Sequence, residues 1–228
     1  VAPEEVPEMC LRARSNGVAW TYNEPTIWYE YMVDASRLCK ERGLFTVSVT
    51  NGFIQEAPLR SLKGVIDAMN IDVKGFSERF YGEVCKGSLA PVLGACEVAR
   101  EIGVHVELTY LIIPGRNDRQ QELADFCQWV RDRMGTQTPV HFSRFHPDFK
   151  MDDVPPTPRS TMDMAMKEGK AHGLDYVYVG NISTERGENT YCPNCGSLLV
   201  RRTGFSAEIM GIKDRSCSKC GHITDIIW

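Results

Sequence analysis

No apolar run in these 228 residues approaches the roughly 20 that a membrane-spanning helix needs, so nothing in the pattern calls for a bilayer. Low-complexity stretches and internal repeats are absent too, which sets aside solenoids and biased linkers. Charge of one sign is not in excess. With 26 Lys and Arg against 30 Asp and Glu, the formal net charge is −4, and this gives no electrostatic reason to expect nucleic acid or an acidic membrane as a partner. A secretory leader is not evident, because Val1–Pro7 is acidic and carries prolines. The sequence opens on Val1 without an initiator methionine, and residues upstream are expected. An even set of pairable cysteines is also lacking: there are nine, five of them scattered singly at Cys10, Cys39, Cys85, Cys96 and Cys127. That pattern suits a reducing cytoplasm and reads as small buried hydrophobes.

What is present is an ordinary globular composition, 43% hydrophobic and 25% charged. Six runs rich in Val, Ile, Tyr, Phe and Thr read as strands: Val18–Asn23, Thr46–Asn51, Ala68–Val73, Val106–Ile113, Val140–Phe145 and Tyr176–Gly180. Between them, Thr26–Arg42, Leu89–Glu101, Gln120–Arg133 and Thr161–Ala171 carry helical periodicity, each followed by a glycine within two residues. Strands alternating with helices predict an α/β fold with a helix-covered parallel sheet. Six such units suggest a partial TIM-type (β/α) barrel. The first helical segment, Pro3–Asn16, has no strand before it, so the first unit of the barrel is expected to be missing. Composition changes after Asn181, where Thr184–Thr190 looks like a linker. The expected domains are a barrel over 1–184 and a small appendage over 185–228.

In (β/α) barrels, chemistry sits on the loops after the strands' C-terminal ends. In order, those ends carry Asn23-Glu24, Asn51, Asp72 with Lys74, Pro114-Gly115 with Asn117-Asp118, His146 and Asn181. Each alone has a plainer reading: Asn51-Gly52 as a turn, Asn117-Asp118 as a helix cap, Asp72–Lys74 as an ion pair, Glu24 as a first-turn acid. Together on one rim they predict a polar ligand at the barrel mouth. Pro25 leaves Glu24 at a strand-to-helix corner, where a carboxylate suits an amine.

The appendage has its own signature. Cys192-x2-Cys195, 21 residues (196–216), then Cys217-x2-Cys220 is close to zinc-ribbon spacing. Short strands are expected over Ser197–Thr203, Phe205–Lys213 and His222–Trp228. Four thiolates leave no open position for water, so zinc here would be structural. A rubredoxin-type iron site and a redox dithiol pair are the rivals. Arg201, Arg202, Lys213, Arg215 and Lys219 make this segment locally basic, but the broad basic face of a nucleic-acid binder is lacking.

Five segments then carry a resemblance: Tyr22-Asn23-Glu24-Pro25, Thr50-Asn51-Gly52-Phe53, Asn70-Ile71-Asp72-Val73-Lys74-Gly75-Phe76, Leu111-Ile112-Ile113-Pro114-Gly115 and Ser143-Arg144-Phe145-His146-Pro147. In this order and spacing the sequence resembles radical S-adenosylmethionine (SAM) enzymes of the pyruvate formate-lyase activating type, including the radical SAM member of the AmmeMemoRadiSam system. The resemblance implies SAM contacts at Asn23, Glu24, Thr50, Asn51, Asp72, Lys74, Pro114 and His146. Glu24 matches the acid of a Gly-Gly-Glu motif that binds the methionyl ammonium, with Tyr22 and Asn23 in place of the glycines. Val49 stands where activating enzymes have an aspartate. The family's Cys-x3-Cys-x2-Cys loop for a [4Fe–4S] cluster occurs nowhere in the chain. The cluster ligands are therefore expected upstream, and no residue here is expected to be catalytic by itself. The chemistry implied by the resemblance is reductive cleavage of SAM to a 5′-deoxyadenosyl radical and hydrogen-atom abstraction from a substrate, a protein among the candidates. The competing reading is a zinc-ribbon binding module on a catalytically inactive barrel.

Overall fold

The computed structural model describes every residue except Ser183, Glu185, Arg186, Phe205, Asp225, Ile227 and Trp228. The expected linker and the expected strands Phe205–Lys213 and His222–Trp228 fall partly outside the described residues. The chain forms two compact units, Val1–Thr109 and Tyr110–Trp228.

The first unit opens with helix α1 (Val6–Arg12), followed by strand β1 (Gly17–Trp20). Then come α2 (Tyr29–Glu41), β2 (Phe45–Thr50), α3 (Glu56–Arg60) and β3 (Ala68–Asp72). α4 (Glu78–Phe80), continued by a wider turn over Tyr81–Cys85, α5 (Leu89–Glu101) and β4 (His105–Ile112) complete it. β1, β2, β3 and β4 pair in parallel, with Trp20 opposite Ser48, Thr50 opposite Ile71 and Asp72 opposite Thr109. Period-two alternation then sorts the side chains. Met69, Ile71, Val73, Val106 and Leu108 are buried, while Asn70, Asp72, Lys74, Glu107 and Thr109, on the opposite face, are half-exposed.

β4 runs on into the second unit, which adds α6 (Gln120–Trp129), β5 (Val140–Arg144), α7 (Arg159–Ala171) and β6 (Val177–Gly180). The six strands lie in chain order in one sheet, the element order of a partial (β/α) barrel. Tyr110, Phe126 and Phe142 are fully buried with centroids 5.1 to 6.1 Å apart, in tilted and edge-to-face contacts. One loop residue braces this unit. Thr157, 0% exposed, donates from Oγ1 to Ile112 O (2.6 Å) and accepts the Phe145 N–H (3.0 Å), tying the ends of β4 and β5 together.

The chain closes in a ribbon. β7 (Thr190–Tyr191), β8 (Leu198–Thr203) and β9 (Ser206–Ile209) form an antiparallel sheet, and β10 (Ile212–Lys213) pairs with β11 (Ser216–Cys217). Cys192, Leu199, Val200 and Cys217 form its buried apolar cluster, with Cys195, Ile212 and Ile226 partly buried against it. No helix among those residues is long and apolar enough to cross a membrane.

Thr157→Val keeps the shape of the side chain but strands a buried carbonyl and a buried N–H. It should cost about 2–4 kcal/mol in urea unfolding; a loss below about 0.5 kcal/mol would show that the brace is not used.

Candidate functional site

The loop from β1 to α2 is pinned at both ends before it does anything chemical. Trp20, Trp28 and Tyr31 meet edge-to-face with centroids 5.7 to 6.0 Å apart, and Trp20 Nε1 donates to Ser36 Oγ at 2.8 Å. Between the two tryptophans the chain turns twice. Tyr22 takes φ 71°, and the Asn23 N–H donates to Thr21 O at 3.0 Å. Pro25 then opens a short 3₁₀ turn, Pro25–Trp28, that Glu24 caps.

The Glu24 carboxylate is the centre of the site. Oε1 accepts from Thr26 N (3.2 Å), Thr26 Oγ1 (3.0 Å) and Thr50 Oγ1 (2.6 Å), and Oε2 accepts from Asn51 N (2.8 Å). The first-turn role and the strand-end role are thus both met by one side chain. Gly52 follows at φ 70°, where an added Cβ would come within 2.8 Å of Ile71 Cγ2, so the turn after Asn51 needs glycine. Asn51 Oδ1 in turn accepts the Phe53 N–H at 2.8 Å.

Asp72 and Lys74 form the ion pair their spacing suggests, at 2.9 Å and part-exposed. Lys74 N donates to the hydroxyl of buried Tyr81, whose pKa is pushed up chiefly by burial. Beside them, Thr109 Oγ1 donates to Asn70 Oδ1 at 2.8 Å. Val49 pairs with Asn70 across β2 and β3, a valine among polar neighbours. The structure therefore brings Glu24, Thr50 and Asn51 into direct contact and Asp72 onto Lys74. Asn23 is exposed, its side chain without a partner among the described residues.

Pro114 and His146 belong to the second unit. Pro114 starts a turn closed by Asn117, which is fully buried: its Oδ1 accepts Ile113 N (2.7 Å) and its Nδ2 donates to Leu111 O (2.9 Å). The helix-cap reading of Asn117-Asp118 is corrected here. Arg119 occupies the N-cap of α6, and Asp118 accepts the Gly115 N–H at 2.9 Å inside the turn. His146 is exposed, with Nδ1 3.4 Å from Pro147 O. Asn181 takes φ 59° and donates from Nδ2 to Arg144 O at 3.1 Å, at the end of β5.

The strongest metal geometry is in the ribbon. The four sulfurs of Cys192, Cys195, Cys217 and Cys220 all lie within 4.8 Å of one another. Cys192–Cys220 and Cys195–Cys217 stand 3.6 and 3.7 Å apart. That is too long for a disulfide, and close to the edge of a tetrahedron of thiolates about 2.3 Å from one ion, about 3.8 Å. The two halves repeat each other. Cys192 N donates to Ser197 O and Gly196 N to Cys192 O, just as Cys217 N donates to His222 O and Gly221 N to Cys217 O. Gly196 and Gly221 supply the positive φ each knuckle needs. Hydrogen bonding with the Ser197 side chain and backbone draws the Cys195 thiol down to about 6, whereas burial pushes Cys192 up to about 12.

A family model for the radical SAM superfamily matches residues 1–127, more than half of the chain. The chain belongs to the radical SAM superfamily. It is an enzyme of that class and resembles its activating enzymes. An uncharacterized protein of Methanocaldococcus jannaschii is 47% identical over 229 residues, covering all of this chain and 68% of that one. The pyruvate formate-lyase 1-activating enzyme of Escherichia coli K12 is 24% identical over 166 residues, 67% of either protein. Among solved structures, a domain of the pyruvate-formate lyase-activating enzyme of Bacteroides vulgatus covers 72% of this chain and 99% of its own, with TM-score 0.64 and 14% identity. A radical SAM methyltransferase of Sphaerobacter thermophilus covers 87% of this chain and 62% of its own, with TM-score 0.63 and 15% identity. These two share the fold.

Protons compete with a metal ion for all four ribbon sulfurs, so affinity should fall as pH falls. Metal content followed by native mass spectrometry should drop from about one ion per chain near pH 8 toward none near pH 5. Retention of the ion unchanged across that range would contradict a thiolate site.

Proposed function

We propose that this chain is the SAM-binding part of a radical SAM enzyme whose [4Fe–4S] cluster is ligated by residues outside these 228. The observation that carries this reading is the Glu24 carboxylate, held at the strand ends by Thr26, Thr50 and Asn51. Three of the four donors fall on Oε1, which fixes the orientation, and Oε2, which accepts only the Asn51 N–H, keeps a lone pair for an ammonium. In this assignment Glu24 takes the methionyl ammonium, with Asn23, Thr50 and Asn51 lining that end. Lys74, oriented by Asp72, meets the carboxylate. Pro114 and His146, in the second unit, are assigned to SAM by the resemblance alone. When bound, SAM and a cluster reduced by an external one-electron donor would supply reductive cleavage to methionine and a 5′-deoxyadenosyl radical able to abstract a hydrogen atom from a substrate. The chain's own residues bind, orient and exclude water.

The cysteines of this chain do not fit the cluster. Five are scattered, and burial raises the pKa of Cys39, Cys96 and Cys127, the opposite of what an exposed thiolate ligand needs. The other four lie within 4.8 Å of one another, a spacing that suits a single ion, whereas a four-iron cluster sets each thiolate on a different iron. We assign that ion as zinc, structural, holding residues 185–228 as an appended ribbon beside a barrel over 1–184. So small a core needs the roughly 10–16 kcal/mol that metal supplies in comparable peptides. A protein substrate is favoured by the names of two relatives, the activating enzymes of pyruvate formate-lyase and of benzylsuccinate synthase.

The test is anaerobic reconstitution of the full-length parent with iron and sulfide, and then addition of dithionite and SAM. 5′-Deoxyadenosine should form, and Glu24→Gln should weaken SAM binding by about tenfold or more in calorimetry. Failure of the wild type to yield 5′-deoxyadenosine would sink the proposal. Elemental analysis should find zinc in a variant with all five scattered cysteines changed to Ala; iron in its ribbon would refute the zinc assignment.

A further inference from the structure

Tyr22 has a geometry that the site as described does not use. Its φ of 71° puts a bulky aromatic residue in the left-handed region. The hydrogen bond from Asn23 N to Thr21 O across it, at 3.0 Å, makes the positive-φ γ-turn, a rare and strained form. Glycine would take this turn without strain. Its side chain is 101% exposed, so the ring gains nothing from packing within this chain to offset the strain. Strain of this kind persists where something beyond the local fold uses it.

The neighbourhood says what. Glu24 lies two residues on, anchored by the donors of Thr26, Thr50 and Asn51. Two further apolar side chains are left exposed on the segments that hold that carboxylate. Ile27 donates its N–H to Glu24 O at 3.2 Å, and Phe53 donates its N–H to the side chain of Asn51, whose own N–H holds Glu24. A carboxylate beside aromatic and apolar surface is the combination that takes up an organic cation. The acid supplies opposite charge, and the ring's negative face attracts the cation without competing for its hydrogen bonds.

We infer that Tyr22 is a ligand-contacting residue, held in its strained turn so that the ring meets the cationic methionyl-sulfonium end of the molecule Glu24 binds. This rests on the reading of Glu24 as the SAM ammonium site. The strained turn is then the means by which the ring is presented, and affinity for the cation is what the lost stability gains.

The experiment titrates SAM calorimetrically into the reconstituted full-length protein and follows thermal unfolding of the same samples. Tyr22→Phe should bind SAM within about twofold of wild type, and Tyr22→Leu should bind about tenfold more weakly. Tyr22→Gly should lose as much affinity as Tyr22→Leu while its Tm rises by about 2–4 °C, because the strain is relieved. Equal affinity for the Phe and Leu variants would overturn the ring–cation contact. A lowered Tm for Tyr22→Gly would overturn it as well, since the ring would then be packing within the protein. Glu24→Gln separates the two readings. If it leaves SAM affinity unchanged, the site assignment fails and takes this inference with it; if it weakens binding while Phe and Leu match, only the role of Tyr22 falls.

Discussion

Everything at the candidate site hangs on one carboxylate shared between two strand ends. Glu24 leaves β1 and is held by Thr50 Oγ1 and Asn51 N at the end of β2. Hydrogen bonds to a charged acceptor are each worth about 1.5–3 kcal/mol net, about twice a neutral one. The loop that carries Glu24 is fixed by the Trp20–Trp28–Tyr31 contacts beneath it, and the turn that carries Asn51 by the lack of room for anything but glycine at 52. Remove the carboxylate and two loops lose their common anchor. The residue that orients the site is also the residue that holds its frame.

That double role changes what its mutants mean. Capping of the Pro25–Trp28 turn and bridging to β2 are structural duties, and neither argues against ligand binding, because Oε1 takes three of the four internal bonds and Oε2 only one, which leaves Oε2 a lone pair. An alanine there would confound the two effects. A glutamine keeps one oxygen for the Thr26 and Thr50 donors, loses the charge and gives up only the Asn51 contact, so it disturbs the frame less than alanine does. The same logic applies to the Asp72–Lys74 pair, where Asp72 is as much a positioner of the ammonium as a partner to it.

Much of this is legible from residue order, and the misses have physical causes. Runs of β-branched and aromatic residues locate all six strands of the sheet, and α5 has the bounds its pattern suggests. The same runs overshoot several strand ends by one to three residues, most of all at β1, because Thr21–Asn23 has β-forming residues but bends at Tyr22. The single helix expected over Thr26–Arg42 is a 3₁₀ turn and then α2, since the proline start and the Glu24 cap set the first turn before α geometry takes over. α3 and α4 are too short to show a period. Thr157 is invisible in the sequence: one threonine in a proline-rich loop gives no local sign that it braces an amide 12 residues away and a carbonyl 45 residues away. Glu24, Thr50 and Asn51 are legible as strand-end polar residues, but their mutual hydrogen bonds depend on register, which no single segment encodes.

The ribbon shows how distance alone separates two metal chemistries in one protein family. Four sulfurs gathered within 4.8 Å match a single tetrahedral ion and leave no open coordination position. A radical SAM cluster requires the reverse: three thiolates spread over three irons, with a fourth iron left open for SAM. The two knuckles make their cage from backbone hydrogen bonds that recur at the same offsets, so the sulfur positions are set by turns rather than by a hydrophobic core. Such a cage has little freedom to widen around a cluster. The proposed assignment accordingly puts SAM at the strand-end site around Glu24 and gives the closed cysteine site a part in folding.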